Sequence, residues 1–198
     1  MIQCPYCRTA LTETSASCPQ CNFDLARANA VMGPVPRLSA NGLTDLTGTL
    51  EPADERRLHA AMRTFHRRFP QSKILVVVSH FAAQFPLSVH LFWLFNSAGL
   101  SAQANKLGNN RDILIGVDPH GRRAGLTIGY GLEPFLRQET LDGILERAMP
   151  QFSSGEFTAG MLDIIDSLSR LFESVSLELP DTFGLRQSFA VEEQAGDY

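Results

Sequence analysis

Apolar and polar positions along this chain fall into segments of two distinct periods. Across 54–69, Leu58, Met62, Phe65 and Phe69 recur at helical spacing among charged residues, which predicts an amphipathic helix. Pro52 and the two acids after it supply the start of that helix. Within "SKILVVVSH" the continuous β-branched run predicts a strand over 74–79 that is buried on both faces. "PLSVHLFWLFNSAGL" (86–100) reads as a helix capped by Gly99. "DILIGVDPHGRRAGLTIGYG" then reads as two strands joined around Asp118-Pro119-His120-Gly121, a hairpin turn sequence. A short helix is expected over 132–137. Two longer ones follow, over 138–149 with Leu141, Ile144, Leu145 and Met149 inward, and over 156–173 with Phe157, Met161, Ile164, Leu168 and Phe172 inward.

A helix between the strands at 74–79 and 112–118 makes them parallel neighbours through a right-handed crossover. The hairpin adds an antiparallel strand. The expected fold is therefore α/β, a three-layer α/β/α sandwich around a small mixed sheet. Ligand sites in such sheets lie beyond the carboxyl ends of the parallel strands.

Ahead of this alternation the pattern breaks. Residues 29–42 carry Pro34, Pro36 and two glycines, the composition of an extended linker. The expected organisation is an N-terminal unit over 1–28, a linker over 29–42 and an α/β domain over 43–175. An acidic tail over 176–198, with Pro180 and Gly184, is expected to be loosely held.

The N-terminal unit holds all four cysteines, as Cys4-Pro-Tyr-Cys7 and Cys18-Pro-Gln-Cys21. Two C-x2-C knuckles bring four thiolates around one zinc ion, with every coordination position taken. Such zinc is structural, and the stretch resembles a short zinc ribbon. The alternative, two disulfides, would need an oxidising compartment that nothing else in the sequence suggests. Asn22 follows the last cysteine, where the turn calls for a residue that tolerates positive φ.

Composition narrows the partners. With 17 basic and 21 acidic residues the formal charge is −4, which implies no polyanionic partner. The arginines of helix 54–69 are read as a solvated face, so no specific nucleic acid is expected. No signal-peptide pattern opens the chain. The most apolar stretch, 89–100, is broken by Asn96 and Gly99 and is shorter than the ~20 residues of a membrane span. A soluble, cytoplasmic protein without a membrane span is expected.

The hairpin ends on "IGYGLEPFL". Glycine stands where φ must be positive or where something comes close to the backbone. Gly129-Tyr130-Gly131 is thus either a tight corner or the floor of a site.

Taken in order, Asp45…Gly48-Thr-Leu50, "ILVVV", "LFNSAGL", "IGYGLEPFL" and "MPQFSSGEFTAGMLDIIDSL" resemble the TPM domain, also called the TPM phosphatase family, across 41–173. That resemblance implies a Rossmann-like fold with a shallow cleft near the GYGLE turn. It also implies acid phosphatase activity and calcium binding as in some members, or assembly roles as in others. The matching cleft positions are Asp45, Asn110, Arg111, Asp112, Gly129, Tyr130, Gly131 and Glu133. Many members have Asn-Gly or Asp-Gly where this chain has Arg111-Asp112, which brings a cation into the cleft.

On residue chemistry, Asp45 and Asp112 are candidate catalytic carboxylates that would supply oxygen ligands to Ca²⁺ or Mg²⁺, with Asn110 adding a carbonyl. Equally, Asp45 would cap a turn and Asp112 would start a strand. Arg111 would hold a phosphate in bidentate fashion. Tyr130 would hydrogen-bond a ligand or cover the strand end. Glu133 would sit at the start of the short helix, favoured by its dipole. No G-x-S-x-G elbow and no cysteine-phosphatase loop exist, so phosphatase chemistry would need a metal-activated water. The expected function is a cytoplasmic binding or assembly module, its protein partner met by the ribbon or the cleft. The alternative is a Ca²⁺- or Mg²⁺-dependent, acid-phosphatase-like phosphohydrolase of low activity.

Overall fold

The computed structural model describes residues 2–4, 6–12, 15–32, 34–83, 85–97 and 110–182. In chain order the elements are β1 (Ile2–Gln3), β2 (Ala10–Leu11), α1 (Leu25–Met32), β3 (Leu43–Asp45), α2 (Pro52–Arg68), β4 (Ile74–Val78), α3 (Leu87–Ser97), β5 (Ile113–Asp118), β6 (Arg123–Ile128), α4 (Gln138–Ser154) and α5 (Phe157–Thr182). β1 and β2 form a two-stranded ribbon, and β3-β4-β5-β6 form a mixed sheet in that order. β3, β4 and β5 run parallel, and β6 returns antiparallel to β5.

Strand alternation divides the core between two faces. Ile74, Val76, Val78, Ile113, Ile115 and Val117 pack under α2, α4 and α5, while Val77 and Leu114 pack under α3. β5 is buried along its whole length, as a central strand covered by helices on both faces must be. On the α3 face Gly116 pairs with Gly125 across β5 and β6. Leu91 fills the space they leave: a Cβ at Gly116 would lie 2.1 Å from Leu91 Cδ2, and one at Gly125 would lie 2.8 Å from Cδ1. On the other face Phe65, Phe69 and Phe172 meet with centroids 5.1 to 5.2 Å apart, joining α2 to α5.

Several features differ from those read in the sequence, among them α4, which runs past its expected end at 149 to Ser154. α1 runs through Met32, so helix occupies the first residues assigned to an extended linker. Asp24 Oδ1 accepts the Arg27 amide at 2.6 Å and caps that helix, and Ala28 buries against α3. β3 was not anticipated; it is three residues long and finds its partner, β4, some thirty residues later. The expected helix over 132–137 is a series of turns, with Leu132, Glu133 and Phe135 amides bonded to the carbonyls three residues back. α5 continues through Thr182, into the segment expected to be a tail, and its packing onto the core runs as far as Val175. Gly99, expected to cap α3, and 183–198 lie outside the described residues. No helix among the described residues is long and apolar enough to cross a membrane.

Candidate functional site

The four cysteines converge. Their Sγ atoms lie within 4.8 Å of one another, with Cys4–Cys21 at 3.7 Å and Cys7–Cys18 at 3.5 Å. A tetrahedral ion with metal–sulfur bonds of about 2.3 Å has sulfur–sulfur edges of about 3.8 Å, so the cage fits one metal ion. Two matching knuckles build it. The Cys4 amide bonds Thr9 O and the Arg8 amide bonds Cys4 O; the Cys18 amide bonds Phe23 O and the Asn22 amide bonds Cys18 O. Arg8 (φ 60) and Asn22 (φ 53) occupy the same left-handed position. Asn22 was anticipated there and Arg8 was not. Hydrogen bonds with the side chain and backbone of Thr9 hold Cys7 down at about 6, whereas burial raises Cys4 and pushes Cys21 up to about 12.

This cage does not stand apart from the α/β domain. Cys4 and Cys18 share a core cluster with Val89, Leu91 and Trp93. Tyr6 stacks on Phe23 at 6.3 Å and meets Phe85 edge-on at 5.8 Å, while Phe23 meets Phe92 at 6.2 Å. Trp93 Nε1 donates to Asn29 Oδ1 at 2.6 Å. The ribbon and α1 therefore complete the layer that α3 begins.

The residues expected to line one cleft divide between the two ends of the sheet. Asp45 pairs with Val78 at the carboxyl end of β3, whereas Asp112 precedes Ile113, which pairs with Ile74 at the amino end of β4. Five strand steps at about 3.3 Å put the two aspartates roughly 16 Å apart along the sheet, so they do not converge on one cation. Asp45 is also occupied: Oδ1 accepts the Thr47 amide (2.8 Å), the Thr47 hydroxyl (2.7 Å) and the Gly48 amide (3.0 Å), and Oδ2 accepts the Leu50 amide (2.8 Å). Burial alone would raise its pKa, but the bonds from Leu50, Thr47 and Gly48 outweigh it and hold the carboxyl below the usual aspartate value. It organises the loop into α2. Asp112 behaves oppositely, because burial pushes its pKa up against the pull of Lys73 and His66.

Asn110, Arg111, Gly129, Tyr130, Gly131 and Glu133 do gather, but at the amino end of the parallel strands, because β6 runs antiparallel and ends there. The contacts are internal. Gly131 N donates to Asn110 O at 2.7 Å, Gly129 N to Asp112 O at 2.9 Å, and Asp112 N to Asn110 Oδ1 at 3.1 Å. A Cβ on Gly129 would lie 2.4 Å from Asn110 O, and one on Gly131 2.9 Å from the same atom. Neither glycine has positive φ, so both are glycines for clearance alone. Arg111 bonds Gln71 through Nη1, while its Nε is buried without a partner. Tyr130 is 55% exposed; partial burial and the Glu133 carboxylate raise its phenol above the ordinary value.

The carboxyl end holds a charged pair that sequence reading missed. Asp118, 2% exposed, accepts Arg123 Nε at 2.9 Å and the Gly121 amide at 3.1 Å, and Arg123 also donates to Phe81 O at 2.8 Å. His80 Nδ1 stands 4.0 Å from Asp118. The signal was present in Asp118-Pro-His-Gly-Arg-Arg123, where a turn-opening aspartate faces an arginine across the hairpin.

The profile of the TPM domain matches residues 43–171, more than half of the chain. The chain belongs to the TPM domain family. Solved structures similar to it include three determined by NMR. The N-terminal domain of a P. gingivalis protein is 24% identical with a TM-score of 0.57, covering 71% of this chain and 86% of that one. The N-terminal domain of a Corynebacterium glutamicum protein is 21% identical with a TM-score of 0.50, covering 70% and 84%. The BA42 protein of Bizionia argentinensis is 14% identical with a TM-score of 0.55, covering 66% and 86%. At these identities the likeness is one of fold. No curated protein matches. Within the TPM domain of this chain, the GYG turn packs closely around Asn110, and the four-cysteine cage lies ahead of the family segment.

Proposed function

We propose that this TPM domain is a binding or assembly module rather than a hydrolase, and that the four-cysteine cage holds structural zinc. One observation carries the reading. The two carboxylates a metal-dependent phosphohydrolase would need stand at opposite ends of the sheet, and Asp45 already accepts four hydrogen bonds from its own loop. A carboxylate so engaged has little left for a cation that must coordinate a reactive water. Zinc follows from ligand chemistry, since four thiolates without an open position suit a structural zinc ion. The ribbon's aromatic residues are turned onto α3, so partners are expected to meet the ribbon and TPM domain as one surface. A cytoplasmic location accords with thiols kept reduced for metal.

The test is a titration of the purified chain with Ca²⁺ and with Mg²⁺, followed by backbone amide shifts. A binding module gives no saturable response at the 45–50 loop or at residues 110–112. A saturable response at either segment would return the phosphohydrolase reading. Elemental analysis tests the zinc separately: about one equivalent per chain is expected, and less than about half would overturn it.

A further inference from the structure

The two outer edges of the mixed sheet are finished differently. β3 is three residues long, and its outward Leu43 amide is taken by Asn41 Oδ1 at 3.1 Å. β6 is six residues long, and among the described residues it pairs only with β5. The Gly129 amide donates to Asp112 O at 2.9 Å, which sets the phase of that pairing. The backbone groups of Arg123, Gly125 and Thr127 therefore turn to β5, and those of Ala124, Leu126 and Ile128 turn outward. None of these outward amides and carbonyls has a partner among the described residues. β6 is nonetheless half-buried along its length, because α4 and α3 cover its two faces.

Sheet edges are ordinarily blunted by shortness, proline, a bulge or an unpaired charge. β3 is short. β6 carries none of these devices: it has no proline, its pairing with β5 is regular throughout, and its one charged residue, Arg123, is bonded to Asp118. A row of donors and acceptors at alternate residues matches an extended polypeptide backbone rather than a compact ligand.

The strand also complements itself. In an antiparallel pair with a two-fold axis at Leu126, Ala124 stands opposite Ile128 of the second copy, and the two Leu126 residues face each other. Each such pair exchanges both of its N–H···O bonds. The side chains of Ala124, Leu126 and Ile128 share the face packed against the core under α4, so a small side chain meets a larger one at either end and leucine meets leucine at the centre. Arg123 falls opposite Gly129 of the second copy, so no like charges are brought together.

We propose that β6 pairs antiparallel with β6 of a second copy of this chain, joining the two sheets into one across a two-fold axis. This pairing goes beyond the binding-module reading and does not depend on it, since Asp45 lies on the opposite edge strand.

The experiment uses the full chain with any bound metal retained, in sedimentation equilibrium over a concentration series, with amide exchange read by NMR at the dilute and concentrated ends. Dimerisation with a Kd at or below about 100 µM is expected. In the concentrated sample the Ala124, Leu126 and Ile128 amides should exchange at least about tenfold more slowly than in the dilute one, while Gly125 and Thr127, already bonded to β5, change less. Ala124→Pro removes an outward donor and leaves the ladder to β5 whole, so it should keep the circular dichroism of the parent and remain monomeric. Leu126→Lys and Leu126→Glu place like charges on the two-fold axis and should each be monomeric, whereas their equimolar mixture should dimerise. A parent chain still monomeric at about 1 mM overturns the proposal. A dimer in which the three outward amides exchange no more slowly overturns it as well, since it forms through another face. Slow exchange of those amides already in the dilute monomer overturns it too, because the edge is then covered by the chain's own residues. Folded Ala124→Pro protein that dimerises as tightly as the parent has the same consequence.

Discussion

Gly129→Ala is the sharpest test of how the GYG turn works. Gly129 has no positive φ, so alanine meets no backbone penalty and the whole cost is steric. The new Cβ would stand 2.4 Å from Asn110 O and 2.5 Å from Asn110 Oδ1. The first of these is backbone and cannot rotate away, so the strand and the 110–112 segment must separate. Overpacking of this kind costs about 1–3 kcal/mol. Separation also weakens the Gly131–Asn110 and Gly129–Asp112 hydrogen bonds (2.7 and 2.9 Å), each contributing about 1 kcal/mol. A loss of about 3 kcal/mol is the central expectation, a fall in Tm of roughly 6–12 °C for a chain of this size. Thermal unfolding followed by circular dichroism, with any bound metal held at the same content in both proteins, measures it. Gly143→Ala is the control of opposite sign: it lies inside α4 with nothing within 4 Å of its Cβ, so alanine is expected to stabilise by about 0.5–1 kcal/mol. A Gly129→Ala protein melting within 2–3 °C of the parent would refute this close packing, since a change below about 1 kcal/mol falls short of even minimal overpacking.

Three further outcomes follow. Removing the metal with a chelator should raise amide exchange across α3 as well as the ribbon, because Cys4, Cys18 and Phe23 share a core with Val89 and Trp93; deprotection confined to residues 2–24 would show that the ribbon is not part of that layer. The depressed Asp45 pKa means its contribution is complete above the ordinary aspartate value of ~3.9 and is lost as pH falls through the lower folded value. Asp45→Asn should therefore lower Tm at pH 7 and converge with the parent at acid pH, and a constant difference at all pH values would contradict the assignment. Asp112, with a raised pKa, should behave conversely: Asp112→Asn should not lower Tm at pH 7, and a drop there would mean the carboxylate is held by favourable contacts.

Much of the fold was legible because it rests on strong local patterns. The runs Ile74–Val78 and Ile113–Val117 could only be strands covered on both faces, and Leu58, Met62 and Phe65 could only be one side of a helix. The paired cysteines were equally plain, since spacing alone brings four thiolates together. β3 escaped notice because its pairing with Val76–Val78 is not written in its own three residues. The expected cleft residues divide between the two ends of the sheet for a directional reason. GYG ends a strand, and ligand sites were sought at strand carboxyl ends, but β6 is antiparallel, so its carboxyl end lies at the amino edge of the parallel strands. Asp45 and Asp112 looked like partners while the sheet register was unknown. Asp118 was passed over because a turn aspartate shows its surroundings only once the hairpin is in place.

The reading as a binding module is tested most directly by turnover of a chromogenic phosphate monoester, with Ca²⁺, Mg²⁺ or Mn²⁺ supplied across acid and neutral pH. The wild-type chain should give the same rate as Asp45→Asn and Asp112→Asn under every condition. Metal-dependent turnover by the wild type that either substitution abolishes would contradict it.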